Sequence, residues 1–156
     1  LSKEDMTYLD PETNEKYIPY VVEPAVGVER LALVFLLNGL EEQQLEGGDS
    51  RQLLRIHPAL APYKAAILPL MKKEHAAKAD EIYKQLSENF DVVYDETQNI
   101  GKRYRRQDAI GTPFCITVDH QTMDDNTVTV RFRDSMEQIV LPINEIKEYI
   151  KERIKF

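Results

Sequence analysis

The stretch Ile100-Gly-Lys-Arg-Tyr-Arg-Arg-Gln-Asp-Ala-Ile-Gly111 concentrates positive charge in a chain of 156 residues whose formal net charge is −7. At about 100° per residue, a helix over Ile100–Ile110 sets Lys102, Arg103, Arg105 and Arg106 on one arc and turns Ile100 and Tyr104 the other way. One face is then cationic and the other is buried. Like charges at helical neighbour spacing, as in Lys102/Arg106 and Arg103/Arg106, cost about 0.2–0.5 kcal/mol per pair. Asp108 is the only acid in the stretch, and it projects away from the middle of the arc, so an external polyanion is the natural counter-charge. The bland alternative is a solvated basic face with no particular ligand.

The flanks make the stretch part of a larger unit. Asp95-Glu-Thr-Gln-Asn-Ile100 offers turn and capping residues before the helix. Gly111-Thr-Pro113 stops it before the apolar run Phe114-Cys-Ile-Thr-Val118. The order is strand, loop, helix, strand, a unit in which loops at one strand end gather binding residues.

Charge is spread unevenly. Residues 1–50 hold 11 acids and 3 bases, residues 51–99 hold 7 of each, residues 100–133 hold 6 bases and 4 acids, and residues 134–156 hold 4 bases and 5 acids. The basic island is local, which argues against a broad nonspecific nucleic-acid coat and permits a specific patch. A hydrophobic content of 42% suits one full domain plus an appendage. No run of about 18 apolar residues is present to span a membrane, and no basic-plus-apolar signal pattern opens the chain. A soluble cytoplasmic protein is expected. The single cysteine, Cys115, has no partner for an internal disulfide and reads as a small core residue. Because the chain starts at Leu1, it is expected to be a piece of something longer.

Before the basic stretch, Asp10-Pro-Glu-Thr-Asn14 reads as a turn between Met6–Leu9 and Tyr17–Val22, a hairpin. Tyr20-Val-Val22 leads through Pro24 and Gly27 into a helix with Val28, Leu31, Ala32, Phe35 and Leu36 at helical spacing, ending at Asn38-Gly39. That helix is apolar nearly all round and needs cover on several sides, so residues 1–60 look like the end of a larger domain plus a linker. Glu29 and Arg30 at its start are either an exposed polar end or, in the functional reading, the place where the Arg30 guanidinium forks toward phosphate or carboxylate to bind a nucleotide, with Glu23 joining it on the strand side. Glu41–Ser50 reads as an acidic loop and His57-Pro-Ala-Leu-Ala-Pro62 as a linker, with a domain boundary near residue 60.

From there, Tyr63–Leu70 reads as a buried strand. Ala79, Ile82, Tyr83, Leu86 and Phe90 give a helix face, and Asp91–Tyr94 a short strand. Asp119–Asn126 reads as a polar turn. In Thr127–Arg133, alternation sends Val128, Val130 and Phe132 to one face and Arg131 and Arg133 to the other, where they are solvated or extend the basic surface. Gln138–Leu141 reads as a strand, and Ile143, Ile146, Ile150 and Ile154 as the inner side of a last helix. No phosphate-binding glycine loop is present. His57, His75 and His120 show no metal-ligand spacing, so no metal site is expected.

Two motifs resemble a known family. Glu23-Pro-Ala-Val-Gly-Val-Glu-Arg-Leu-Ala-Leu33 resembles the third signature motif of class II aminoacyl-tRNA synthetases. Ile100–Phe114 and Thr127–Asp134 resemble the C-terminal anticodon-binding domain of the dimeric glycyl-tRNA synthetase family, and His57–Pro62 resembles its junction. The resemblance implies an α/β fold over residues 61–156, a mixed five-stranded sheet flanked by helices, preceded by a strand-helix remnant of a catalytic domain. It also implies glycine and ATP as substrates of an intact homodimeric ligase, with magnesium accompanying ATP. Arg30 and Gly27 would bind ATP, while Glu23, Ala25 and Gly27 would line the glycine and adenylate pocket. Ala25 departs from the family's usual serine. The family's first two signature motifs are absent from these residues, so this chain alone is expected to be inactive.

The partner implied for the second domain is glycine-specific tRNA. Lys102, Arg103, Arg105 and Arg106 are expected on phosphates, Arg131 and Arg133 on bases or phosphates, and Thr97, Asn99 and Thr122 on base edges. About four phosphate contacts would give a logarithmic salt slope near −3. A noncatalytic protein-interaction module on the same fold, or the threonine, proline or histidine relative of the family, are the competing readings.

Overall fold

The computed structural model describes residues 3–45 and 47–156. In chain order the elements are β1 (Tyr8–Leu9), β2 (Lys16–Tyr17), α1 (Val28–Gly39), β3 (Leu40–Gln44), β4 (Ser50–Leu54), β5 (Ala65–Pro69), α2 (Lys72–Ser87), β6 (Val92–Tyr94), α3 (Ile100–Ile110), β7 (Phe114–Val118), α4 (His120–Asp125), β8 (Thr127–Phe132), β9 (Gln138–Pro142) and α5 (Ile146–Arg153). The main sheet has the order β6-β5-β7-β8-β9. β6, β5 and β7 run parallel, and β8 and β9 continue antiparallel. This is the mixed five-stranded sheet with flanking helices that the resemblance implied.

Alternation along the strands separates two faces. Ile67, Ile116, Val118, Val128 and Val130 join Ala79, Ile82 and Leu86 of α2 and Ile146 and Ile150 of α5 in the larger core. The opposite face is smaller. Ala66, Leu68 and Cys115 meet Ile100 and Tyr104 of α3 there, so the inward pair of the basic helix lies where its periodicity put it. Cys115 is 1% exposed, and burial pushes its thiol up to about 12. Folded protein is therefore expected to resist thiol reagents in mildly alkaline buffer and to take up one label per chain in denaturant; rapid labelling of the folded chain would contradict the packing.

Three sequence readings change. The segment Glu41–Ser50, read as an acidic loop, belongs to a β3–β4 hairpin with Leu40 opposite Leu54 and Gln44 opposite Ser50; Glu46 lies outside the described residues. Gly47 and Gly48 turn the chain at φ of 86° and 81°, values that side chains disfavour. Strand alternation in β4 buries Arg51 and Leu53 against α3, which was hidden by the flanking glutamates and glutamines. The boundary expected near residue 60 is thus crossed by contacts: the Arg133 side chain donates to the Ile56 carbonyl. Asp119–Asn126 is not a loose turn either. It contains α4, capped reciprocally by Asp119 and Thr122 and ended by Asn126 at φ 57°. Finally, Tyr20–Val22, expected as a strand, is exposed and pairs with no strand among the described residues. The short hairpin before it does form, with Tyr8 opposite Tyr17.

α1 follows the sequence pattern, and its apolar residues are left open. Leu31, Val34, Phe35 and Leu36 are 43–50% exposed, around an open apolar groove that α1 shares with Ile56 and Leu60. Among the described residues no helix is long and apolar enough to cross a membrane.

Candidate nucleic-acid interface

α3 is held at both ends by the residues that its flanks supplied. Asn99 Oδ1 accepts from the Lys102 amide at 2.9 Å, the usual N-cap contact. At the other end Gly111 adopts φ 85° and receives the last turn. A Cβ there would lie 3.1 Å from the Leu54 carbonyl oxygen, so both the left-handed backbone and the close approach of β4 call for glycine.

The cationic arc is not an unpaired one. Arg103 is 4% exposed and donates to the carbonyls of Pro69, Glu96, Thr97 and Gln98. Arg106 donates to the Asp95 carboxylate at 2.6 and 3.0 Å, to Thr97 and to Gln98 Oε1. Arg105 reaches the hairpin turn, pairing with Asp49 and the Ser50 carbonyl. Of the four, Lys102 alone is exposed with no partner among the described residues. The expected fourfold phosphate grip therefore does not stand on this geometry: the guanidinium groups are occupied by the protein's own acceptors.

Arg131 and Arg133 are corrected in the same way. Their strand face lies beneath α3 and the hairpin, not in solvent, and they are 6% and 2% exposed. Arg131 Nη1 and Nη2 donate to Asp108 at 2.9 and 3.1 Å, and its guanidinium sits 4.7 Å from the Tyr104 ring centroid. Burial opposes its charge, but Asp108 outweighs that and raises its pKa. Arg133 donates to the carbonyls of Gly111 and Ile56 and to Asp134. Asp108, expected to project away from the middle of the cationic arc, is wholly buried and also takes Arg51 Nη1 at 2.8 Å. Sequence reading missed Arg51. The signal was its two-residue phase with Leu53 once 50–54 is read as a strand.

The polar candidates divide. Thr122 is fully buried, and its hydroxyl and amide are spent on the Asp119 cap, which removes it as a reader of base edges. Thr97 and Asn99 are exposed and sit together in the loop Asp95–Asn99, between the C-terminal end of β6 and α3. Burial would raise the Asp95 carboxyl, but bonds from Thr97 and Arg106 prevail and hold it below its usual value. Tyr94, at the start of this loop, is pushed up to about 12 by burial and the Glu96 carboxylate. Gln98, not singled out by sequence, carries a positive φ of 64° with its side chain on Arg106.

Glu23, Ala25, Gly27 and Arg30 lie along an exposed segment, and none of them lines the apolar groove of α1. Glu23 and Glu29 are the only carboxylates on residues 18–38, so this segment could supply at most one or two of the contacts that hold magnesium beside nucleotide phosphates. His75 and His120, far apart in sequence, meet edge to face at 4.7 Å beside Glu74. His75 Nδ1 accepts the Met71 amide at 3.0 Å, so the neutral ring keeps its proton on Nε2 and has no lone pair there for a metal.

The chain is 59% identical over 155 residues to the glycine–tRNA ligase of Clostridium tetani, covering 99% of this chain and 33% of that protein. It is 58% identical to that of Macrococcus caseolyticus, with the same shares covered. The chain thus spans about a third of the length of the curated relatives it matches. The RNA binding domain of threonyl-tRNA synthetase from Cryptosporidium parvum shares the fold, with a TM-score of 0.55 and 22% identity over 59% of this chain and 24% of that one. The family model described as the anticodon binding domain matches residues 64–153, the residues that build the five-stranded sheet. Matching that model over more than half of its length, the chain belongs to the anticodon binding domain family.

Proposed function

We propose that this chain is part of a cytoplasmic glycine–tRNA ligase in which the unit built on the five-stranded sheet binds the anticodon loop of glycine-specific tRNA. The family match over residues 64–153 carries this reading, and the identity to glycine–tRNA ligases along the whole chain supports glycine as the amino acid. On this reading residues 17–38 contribute to the ATP and glycine site of the complete homodimeric enzyme. Arg30 and Gly27 face ATP there, and Glu23, Ala25 and Gly27 face glycine, with the magnesium that accompanies ATP held mainly by residues outside this segment. The exposed apolar side chains of α1 fit a helix that the rest of such an enzyme covers. The contacts of the hairpin with α3 favour a boundary between the two units at the end of α1, near Gly39.

Recognition then rests less on charge than on shape and hydrogen bonding. Single-stranded RNA loops present unstacked base edges, and the loops at the C-terminal ends of parallel strands are where such folds gather ligand contacts. Of the residues first assigned to tRNA, Lys102, Thr97 and Asn99 are accessible. Arg105 and Arg106 stand half-buried behind them, and Arg103, Arg131 and Arg133 act by holding the scaffold. The test is binding of this chain to a glycine tRNA transcript and to an anticodon-swapped copy over a range of salt. Tighter binding of the first is expected, with a logarithmic salt slope near −1, since each neutralised phosphate contributes about 0.7. Equal affinities would count against anticodon reading and favour an accessory protein-interaction module. A slope near −3 would mean that the arginines release their internal partners to grip phosphate.

A further inference from the structure

The loop Asp95–Asn99 has its carbonyls and carboxylates engaged, and its Asp95 and Thr97 amides and Thr97 hydroxyl donate within the fold; the donors left over are on two side chains. The carbonyls of Glu96, Thr97 and Gln98 are taken by Arg103. The Asp95 carboxylate, the Thr97 carbonyl and the Thr97 hydroxyl are taken by Arg106. The Glu96 carboxylate is occupied by Tyr94 and Lys72. Two side-chain amides remain, and their orientation is decided by their neighbours. Gln98 Oε1 faces the Arg106 guanidinium at 3.2 Å, and Asn99 Oδ1 faces the Lys102 amide at 2.9 Å. Both partners are obligate donors, so in each amide the oxygen points inward and the NH2 group outward. Neither NH2 has a partner among the described residues, and both side chains are exposed.

Gln98 also holds a left-handed φ of 64°, a conformation that a non-glycine residue keeps only when its surroundings fix it. Arg103 on its carbonyl and Arg106 on its side chain do so. The arginines of the basic stretch thereby leave the rim of the loop rich in donors. Such a rim suits a partner edge made of acceptors and repels one that presents donors.

We propose that Gln98 and Asn99 are specificity-determining residues that read a base edge with two adjacent acceptors, N3 and O2 of cytosine or N7 and O6 of guanine. This rests on the reading that the domain binds an anticodon loop. Asn99→Ser removes the amide donor without adding charge and keeps a hydroxyl that caps α3. Gln98→Glu keeps an oxygen for Arg106 and turns the outward donor into an acceptor. The quantity to measure is the ratio of affinities for the glycine transcript and its anticodon-swapped copy, with a melting curve on each variant to verify folding.

Each substitution is expected to lower that ratio by about tenfold while the melting temperature stays near that of the parent. General repulsion by the added carboxylate would weaken both transcripts alike and leave the ratio unchanged. An unchanged ratio in both variants, with the parent chain still discriminating, overturns the assignment of Gln98 and Asn99 while the anticodon reading stands. Failure of the parent chain itself to discriminate overturns the anticodon reading and this inference with it. Replacing the anticodon guanines, where present, by 7-deazaguanine separates the two sources: a loss of affinity assigns N7 of guanine, and none assigns cytosine.

Discussion

Replacing Asp108 with alanine is expected to destabilise the domain by about 4 kcal/mol, because removing one partner of a buried ion pair strands the other charge without solvent. Here two charges are stranded. Arg51 and Asp108 side chains are wholly buried and that of Arg131 is 7% exposed, so water cannot replace the carboxylate at any of the three donor contacts. Against a total stability of roughly 5–15 kcal/mol for a domain of this size, the loss is a large fraction. It corresponds to a fall of roughly 20 °C in melting temperature at about 4–8 °C per kcal/mol. Thermal and urea unfolding of the variant measure it directly.

Asp108→Asn keeps one acceptor but turns an NH2 group toward a guanidinium, so it is expected to recover only part of the loss. The informative control is apolar replacement of the whole triad, Arg51→Met with Asp108→Leu and Arg131→Met. A buried ion cluster returns much of its Coulomb energy as desolvation, so the triple variant should be markedly more stable than Asp108→Ala alone. A loss within about 1 kcal/mol for Asp108→Ala, the size of an ordinary substitution, would show that the carboxylate is dispensable. The packing of β4 on α3 would then need another cause.

The distance spanned by this triad explains what could and could not be read from the chain. Helical and strand periodicity is local, and it correctly turned Ile100 and Tyr104 inward, stopped α3 at Gly111, and chose the core faces of α2 and α5. It also put Arg131 and Arg133 on the face opposite Val128 and Val130, as the sheet has them. What lay over that face was not local information. Asp108 meets Arg51 from 57 positions away and Arg131 from 23, and Arg133 meets Ile56 from 77. A window that counts charge along the sequence sees Lys102–Arg106 as unpaired and Glu41–Ser50 as acidic, although Arg105 pairs with Asp49 and Arg55 with Glu41 once the chain folds. The family resemblance implied the sheet, which the fold has, and an RNA partner independently of that count. The count itself pointed to phosphate contacts by groups the fold had already used. Thr97 and Asn99 survived as candidates because turn and capping residues are recognisable from type and spacing, whereas Gln98 had no signal until its φ and its contact with Arg106 were known.

Arg103→Ala is expected to cost about 3 kcal/mol of stability, since carbonyl acceptors left unsatisfied in a buried position cost about 1–3 kcal/mol each and solvent repairs only the outer ones. The four carbonyls come from the end of β5 and from three successive residues of the loop, so one planar guanidinium sets where that loop lies on the sheet. Arg103→Lys is expected to behave nearly as badly. An ammonium carries three donors on a single atom and cannot reproduce a fork that spans Pro69 and Gln98. Discrimination between transcripts should collapse in both variants below their melting temperatures, because Gln98 and Asn99 no longer hold one orientation. Lys102→Ala gives the contrast. That side chain is exposed and unpartnered, so stability should stay within about 0.5 kcal/mol, while affinity for the two transcripts falls by a common factor and the salt slope flattens by about 0.7. Retained stability and retained discrimination in Arg103→Lys would assign the loop's order to Arg106 alone. The opposite result assigns the basic helix two jobs, an inner arginine that builds the recognition surface and an outer lysine that draws RNA to it.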